Sequence, residues 1–314
     1  MIVNDVKLEA ARSSFLALGQ EVFATQKNGM HMAYTRVVPC DAEYLEVDAL
    51  GPNPAVVEQI GNRRWGSVRA YAVRGRVRRY GPDGLEYSIL KIKNDKTGLI
   101  QQEIAAYGAA LSNFYEKPVT DFLISNPTCL DGGALLSTTH SFGSAGGTWS
   151  NRGSAALSPS EFATGISTME GLLFENGEPA NYYPNVLMVG PSNRKLAMDL
   201  CKAPMRVVPV SASGVEAYAS AVAATAVNNW IFGEITVIVN PRLVGSYAAY
   251  WFLFDTRREV AKPIILGEAI APQAYAVTDG NSQGMVDRSV ARFYAEAWFA
   301  LVGGAPYSVY GYVG

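Results

Sequence analysis

At 314 residues the chain is long enough for one large domain or two to three ordinary ones, and an apolar share of 49% can build a real core. A charged share of 17%, below the roughly 25% usual in soluble domains, excludes disorder. A formal net charge of −2 excludes a polybasic chain that condenses nucleic acid by bulk attraction.

Residues 1–40 hold a short amphipathic stretch, Ala10–Phe23, among polar and glycine-containing residues, and are expected to form an extended arm. Alternation from Glu43 to Leu50 predicts a strand, which Gly51-Pro52-Asn53-Pro54 stops. Between Gly61 and Lys96 ten basic residues face only Asp83, Glu86 and Asp95, a local charge of +7 that leaves −9 on the rest of the chain. Period-two alternation sets Tyr71, Val73 and Val77 against Arg74, Arg76 and Arg78, and Gly81-Pro82-Asp83-Gly84 supplies turn chemistry before Leu85, Tyr87 and Ile89. The expectation is a long basic β-hairpin with arms of about 45 Å at ~3.3 Å per residue. An isolated two-stranded ribbon is only marginally stable in water, so such a hairpin calls for a partner surface.

Ile100, Ile104, Tyr107, Leu111 and Phe114 then recur at helical spacing and predict a helix with one apolar face. Pro118 can occupy the first turn of a continuation that buries Val119, Phe122 and Leu123. Beyond the Gly- and Ser-rich residues 132–153, Ser158-Pro159-Ser160-Glu161 is a capping box, and Phe162, Ile166, Met169 and Leu173 carry its helix onward. From Pro184 an α/β block is expected: strand Val186–Val189, a helix from Ser192 to Cys201, an extended Arg206–Val210, a helix over 215–227, and strands Ile235–Val239 and Ala249–Phe254. Pro263–Glu268, Gln273–Thr278 and the aromatic-rich Phe293–Tyr312 read as long closing strands.

The residues offer little for catalysis. His31 and His140 are the only histidines and stand in no metal motif, and no phosphate-binding loop is present. Gly280-Asn281-Ser282-Gln283-Gly284 spells a nucleophile elbow, but no histidine follows it, so it reads as a glycine-rich turn. A Cys129–His140 pair is weighed as a nucleophile, but an isolated cysteine is more often apolar filler. No enzyme activity, cofactor or metal is expected. Cys40, Cys129 and Cys201 are too few for a disulfide framework and point to a reducing, cytoplasmic setting. The N-terminus has early acids and no apolar h-region, and no 18-residue apolar run occurs, so neither a signal peptide nor a membrane span is expected.

The order of arm, basic hairpin, apolar-faced rod helix, second helix, α/β block and β return resembles the major capsid fold of tailed phages and herpesviruses, an α+β architecture. Val47-Asp48-Ala49-Leu50-Gly51-Pro52, leading through Gly61-Asn62-Arg63 into the hairpin, is similar to the Mu-like phage major head subunit family. So are Pro184–Leu200, the strand Trp251-Phe252-Leu253-Phe254-Asp255 followed by Lys262-Pro263-Ile264-Ile265, and the aromatic C-terminal strand. The resemblance implies an N-arm and lead-in strand (1–60), an E-loop hairpin (61–97), a peripheral domain with its spine helix (98–183), an axial domain (184–258) and a return to the peripheral domain (259–314). It also implies a virion protein, assembled in the host cytoplasm, whose pentamers and hexamers enclose double-stranded DNA without sequence specificity. Scaffolding, portal and decoration proteins are further partners of this class, and no membrane is involved.

Head-to-tail rings need a donating and a receiving surface on each subunit. Arg74, Arg76, Arg78 and Arg79, with Lys91 and Lys93, are expected to seat on the neighbour, with Glu116 and Asp121 as receivers. Burial of Tyr71, Val73, Val77 and Tyr87 supplies the affinity, and charge sets the register. The alternatives are a β-ribbon nucleic-acid-binding protein and an encapsulin-like compartment shell.

Overall fold

The computed structural model describes residues 6–26, 29–50, 70–141, 147–174, 177–210, 223–279 and 281–314. The first half of the chain runs α1 (Val6–Gln26), β1 (Thr35–Pro39), β2 (Tyr44–Leu50), β3 (Ala70–Arg76), β4 (Arg78–Tyr80), β5 (Leu85–Ser88), α2 (Ile89–Asn94), α3 (Leu99–Ser112), α4 (Glu116–Ile124), β6 (His140–Ser141), β7 (Thr148–Trp149) and α5 (Pro159–Glu170). The second half runs β8 (Val186–Val189), α6 (Arg194–Cys201), β9 (Met205–Val210), β10 (Ala223–Asn228), β11 (Thr236–Val239), β12 (Trp251–Phe254), β13 (Ile264–Val277), α7 (Gln283–Arg288), β14 (Val290–Gly303) and β15 (Val309–Tyr312). The chain divides into two compact units. The first joins Met1–Glu46, Arg74–Leu123 and Ile264–Val302, and the second joins Val47–Val73, Ile124–Pro263 and Gly303–Gly314. The expected axial block 184–258 therefore lies within a larger unit that also takes in residues 124–183.

In the first unit the N-terminal segment is no extended arm. It is the 21-residue helix α1, packed on α3 and β13. Leu8, Ala11, Phe15 and Gly19 form its buried stripe at helical spacing, and the Phe15 ring lies 5.5 Å from both Tyr107 and Phe293. At Gly19 a β-carbon would fall 2.5 Å from that of Ala274, so the absence of a side chain is what lets helix and strand approach. Sequence reading undervalued this stripe because half of it is Ala and Gly, while Leu16 and Leu18 stand off it.

α3 buries Ile100, Ile104, Tyr107 and Leu111 as their spacing predicts. The rod breaks at Asn113–Tyr115 rather than at Pro118: the Asn113 side chain donates to the Ala109 carbonyl at 2.9 Å and closes α3, and Pro118 sits in the first turn of α4. The sheet of this unit has the order β1-β13-β14-β4, with β5 also on β14. β1 runs parallel to β13, from Thr35 opposite Ile264 to Pro39 opposite Glu268. Along β14, Ala291, Phe293, Ala295, Ala297 and Phe299 are buried while Arg292, Tyr294, Glu296 and Trp298 point outward, the alternation of a strand with one face on a core.

The expected hairpin about residues 81–84 does not form. β4 and β5 lie end to end along the same partner, with Arg78–Tyr80 opposite Phe299–Ala297 and Leu85–Ser88 opposite Phe293–Val290. Four residues, 81–84, thus oppose three, 294–296, and Gly-Pro-Asp-Gly makes a bulge rather than a reversal. Gly81 passes so close to the Ala295 carbonyl that no side chain fits there, and Gly84 lies against Phe293 and Tyr294. The reversal occurs earlier: β2 and β3 form a two-stranded ribbon, closed at its base by the Val77 amide donating to the Glu43 carbonyl at 2.9 Å. Residues 51–69, between its strands, lie outside the described residues.

In the second unit a four-stranded sheet runs β11-β8-β12-β15, with β8 and β11 parallel and β12 antiparallel to both its neighbours. One face presents Leu187, Val189, Trp251, Leu253 and Tyr310 to α5 and α6, whose Phe162, Ile166, Met169, Ala197 and Leu200 complete the core. α5 starts as its capping box predicts, the Ser158 hydroxyl accepting the Glu161 amide at 3.1 Å. The final strand β15 joins this sheet beside β12, so the chain does not end in the sheet of β13 and β14 as expected. The helix expected over 215–227 is corrected in part: residues 211–222 lie outside the described residues, and Ala223–Asn228 is strand β10, paired antiparallel with β9. Its alanines favour helix locally, and pairing with the Val-rich β9 overrides that preference. Among the described residues no helix is long and apolar enough to cross a membrane.

Candidate inter-subunit surface

Of the basic segment that the sequence singled out, β3 pairs with β2 in this ribbon, and among the described residues the ribbon pairs with no third strand. Its outward arginines are held by acids of the same chain. Arg74 Nε lies 3.2 Å from Glu46 Oε1, and its guanidinium stacks 3.8 Å above the Tyr44 ring. Arg76 reaches Glu43 at 3.1 Å, and Arg79, on β4, reaches Glu296 at 3.4 Å. The arginine side chains of these pairs are 59–66% exposed, so each pair contributes only about 0–1 kcal/mol and is readily exchanged for another acid. Arg78 is exposed and forms no ion pair among the described residues. Val73 and Val77 are half-buried, while the Tyr71 side chain lies outside the described residues.

Other expected contact residues are already engaged. Tyr87 is 4% exposed, packs on Phe293 and carries the Lys91 ammonium 4.8 Å from its ring centre, so it serves its own core and is not offered to a neighbour. Lys91 also pairs with Glu103 at 3.6 Å, and Lys93 is exposed at the end of α2. Glu116 is not a free receiver: its Oε1 accepts from the His31 amide at 3.0 Å and meets His31 Nδ1 at 2.8 Å. Burial opposes its ionisation, but those hydrogen bonds outweigh burial and hold the carboxyl below the usual carboxylate range. Asp121 remains exposed, in a surface pair with Lys117 at 2.8 Å. The acids that sequence reading missed are Glu43, Glu46 and Glu296. The first two stand at the start of the strand preceding the basic one, which was the available signal; Glu296 lies more than 200 residues from Arg79 and gave none.

The catalytic readings gain nothing here. Ser282 stands at the N-cap position of α7 with no capping bond from its hydroxyl, and His31 is bound to Glu116. Cys129 does come near His140, through Asp131, but burial first and then Asp131 push its thiol well up, which makes it a poor nucleophile.

The family described as phage capsid protein matches residues 76–310, three quarters of the chain. The chain belongs to the phage capsid protein family. Solved structures from bacteriophages share the fold of this capsid protein at low identity. The mature capsid of bacteriophage PhiM1 matches with a TM-score of 0.56 at 10% identity, over 91% of this chain and 87% of that one. A structure from Microbacterium phage Oxtober96 matches at 0.52 and 13%, over 91% and 90%. The bacteriophage JBD30 capsid decorated with minor capsid protein trimers matches at 0.52 and 14%, over 68% and 90%. No curated protein sequence matches the chain. The α+β fold is therefore that of tailed-phage capsid proteins, and the protein is a structural subunit of a phage head shell.

Proposed function

We propose that this capsid protein is the major head subunit of a tailed phage, assembling as pentamers and hexamers into an icosahedral shell around double-stranded DNA. The subunit folds and assembles in the host cytoplasm and catalyses no reaction. Within the class it belongs to the Mu-like group, a reading supported by the sequence signals from Val47 to the aromatic C-terminus. Scaffolding, portal and decoration proteins would be its partners in the same shell.

The observation that carries this reading is the β2–β3 ribbon, a two-stranded element that pairs with no third strand among the described residues and whose Arg74 and Arg76 are held in exposed pairs. Such a ribbon gains its stability from a second surface. The neighbouring subunit supplies it: Val73 and Val77 bury further, Arg74 and Arg76 exchange Glu43 and Glu46 for acids of the neighbour, and Arg78 and Arg79 add register. Asp121 is the exposed acid of α4 available as one receiver, whereas Glu116 is not.

Purified protein sedimented and imaged in negative stain should give closed shells. Changing Arg74, Arg76, Arg78 and Arg79 together to Glu should leave folded subunits, by circular dichroism, that form no shells. Normal shells from that variant would overturn the role of the ribbon, and a wild-type protein that stays monomeric and binds DNA with steep salt dependence would overturn the shell reading itself.

A further inference from the structure

A buried polar cluster in the second unit is unused by the shell reading. Cys129 opens a turn in which the Cys129 amide donates to the Gly133 carbonyl at 2.8 Å and Gly132 takes φ +82°. The turn aims two donors at Asp131 Oδ1: the Cys129 thiol at 2.8 Å and the Gly133 amide at 2.9 Å. His140, on β6, stacks on Trp149 of β7, with 4.4 Å between ring centres, and sets Nδ1 2.6 Å from Asp131 Oδ2. Cys129 and His140 are buried, and the Asp131 side chain is 15% exposed.

The tautomer of the histidine follows from its other nitrogen. His140 Nε2 lies 3.0 Å from Asn151 Oδ1. The Asn151 amide is oriented by its own partners, Nδ2 donating to the Leu135 and Pro306 carbonyls at 2.8 and 3.0 Å and Oδ1 accepting the Ser137 amide at 2.9 Å. An oxygen thus faces Nε2, and Nε2 must donate. In the neutral ring Nδ1 would then turn a lone pair onto a carboxylate oxygen at 2.6 Å, which is repulsive. A proton or a cation between Nδ1 and Asp131 Oδ2 removes that repulsion.

We propose that Cys129, Asp131 and His140 form a site for a thiophilic divalent cation of the zinc class. Their ligand atoms all lie within 4.8 Å of one another, and sulfur, nitrogen and carboxylate oxygen together suit zinc and cobalt rather than magnesium or calcium. The exchange is balanced. A thiol, a carboxylate and an imidazolium sum to zero charge, and so do a thiolate, a carboxylate, a neutral imidazole and a divalent cation. The cation replaces the Sγ and Nδ1 protons, which pass to water, and no net charge is added to a buried site. Asn151 plays the outer part that metal-bound histidines require, its Oδ1 accepting the hydrogen bond from Nε2–H and fixing the tautomer so that Nδ1 faces the metal. The bound cation fastens the 129–134 turn to the β6–β7 hairpin.

The test titrates cobalt(II) into chelator-treated, purified wild-type subunits. One equivalent should raise a thiolate-to-cobalt charge-transfer band in the near ultraviolet, zinc should abolish it, and native mass spectrometry should show one zinc ion less two protons. Cys129→Ser should lose the band while Cys201→Ser keeps it. If Cys129→Ser does not fold, Asp131→Asn takes its place and should weaken cobalt at least tenfold. A wild type without the band at saturating cobalt, a band that survives Cys129→Ser, or unchanged affinity in Asp131→Asn would each overturn the site and leave the proton as the charge between Nδ1 and Asp131.

Discussion

Gly81 lies directly against the main-chain carbonyl of Ala295, where β4 and β5 follow one another along β14. Gly81→Ala therefore places a methyl group on a backbone oxygen that cannot move without breaking the sheet. It should destabilise the subunit by about 1–3 kcal/mol in urea unfolding. A turn at the tip of a free hairpin would tolerate alanine at no such cost, so an unchanged midpoint would contradict the bulge.

Phe15 distinguishes a docked helix from a loose arm. It is fully buried between Tyr107 and Phe293, and Phe15→Ala should cost about 3–5 kcal/mol, read as a lowered unfolding midpoint of the isolated subunit. Were α1 an arm that docks only on a neighbour, the isolated subunit would unfold at the wild-type midpoint.

The ribbon arginines behave in the opposite way. Arg76→Ala removes one exposed ion pair and should cost the isolated subunit no more than about 1 kcal/mol, and Arg74→Ala should add at most the loss of its stacking on Tyr44, about 0.5–1 kcal/mol. Thermal melting of subunits checks the fold, and shell yield checks assembly. Melting should shift by only a few degrees while the yield falls sharply.

Asp255 is fully buried in the second unit, and its two oxygens accept from the Arg257 guanidinium at 2.9 and 2.7 Å and from the Tyr183 amide at 3.0 Å. Burial opposes its ionisation, but these hydrogen bonds outweigh burial and hold its pKa below the ordinary value. The folded pKa is depressed, so the stabilisation is fully present above the unfolded-state value near ~4 and is lost as pH falls through the folded one. Asp255→Asn should cost about 1.5–3 kcal/mol at neutral pH and flatten the acid limb of the stability profile. An equally steep limb in the variant would assign the acid loss to other groups.

Much of the fold was legible wherever a pattern is local. The apolar face of α3, the capping box of α5 and the apolar runs of β8 and β12 need only near neighbours in sequence, and each element stands close to where its pattern put it. What failed depends on distant partners. Gly-Pro-Asp-Gly suits a turn and a bulge equally, and only β14, some 200 residues on, decides for the bulge. Ala223–Asn228 becomes strand because β9 is beside it, and Glu296 meets Arg79 only through the same long-range pairing. At the candidate surface the basic strand was visible while its acids and the burial of Tyr87 and Glu116 were not. Cys129, Asp131 and His140 carry no recognised spacing, and a turn and a short hairpin bring them together.

The most direct measurement is a cryo-electron microscopy map of the shell at side-chain resolution. It should show the β2–β3 ribbon lying on the adjacent subunit, with Arg74 and Arg76 against that subunit's acids. A ribbon that keeps Glu43 and Glu46 as its only acidic partners, lies along its own subunit and leaves neighbours joined elsewhere would contradict the assignment.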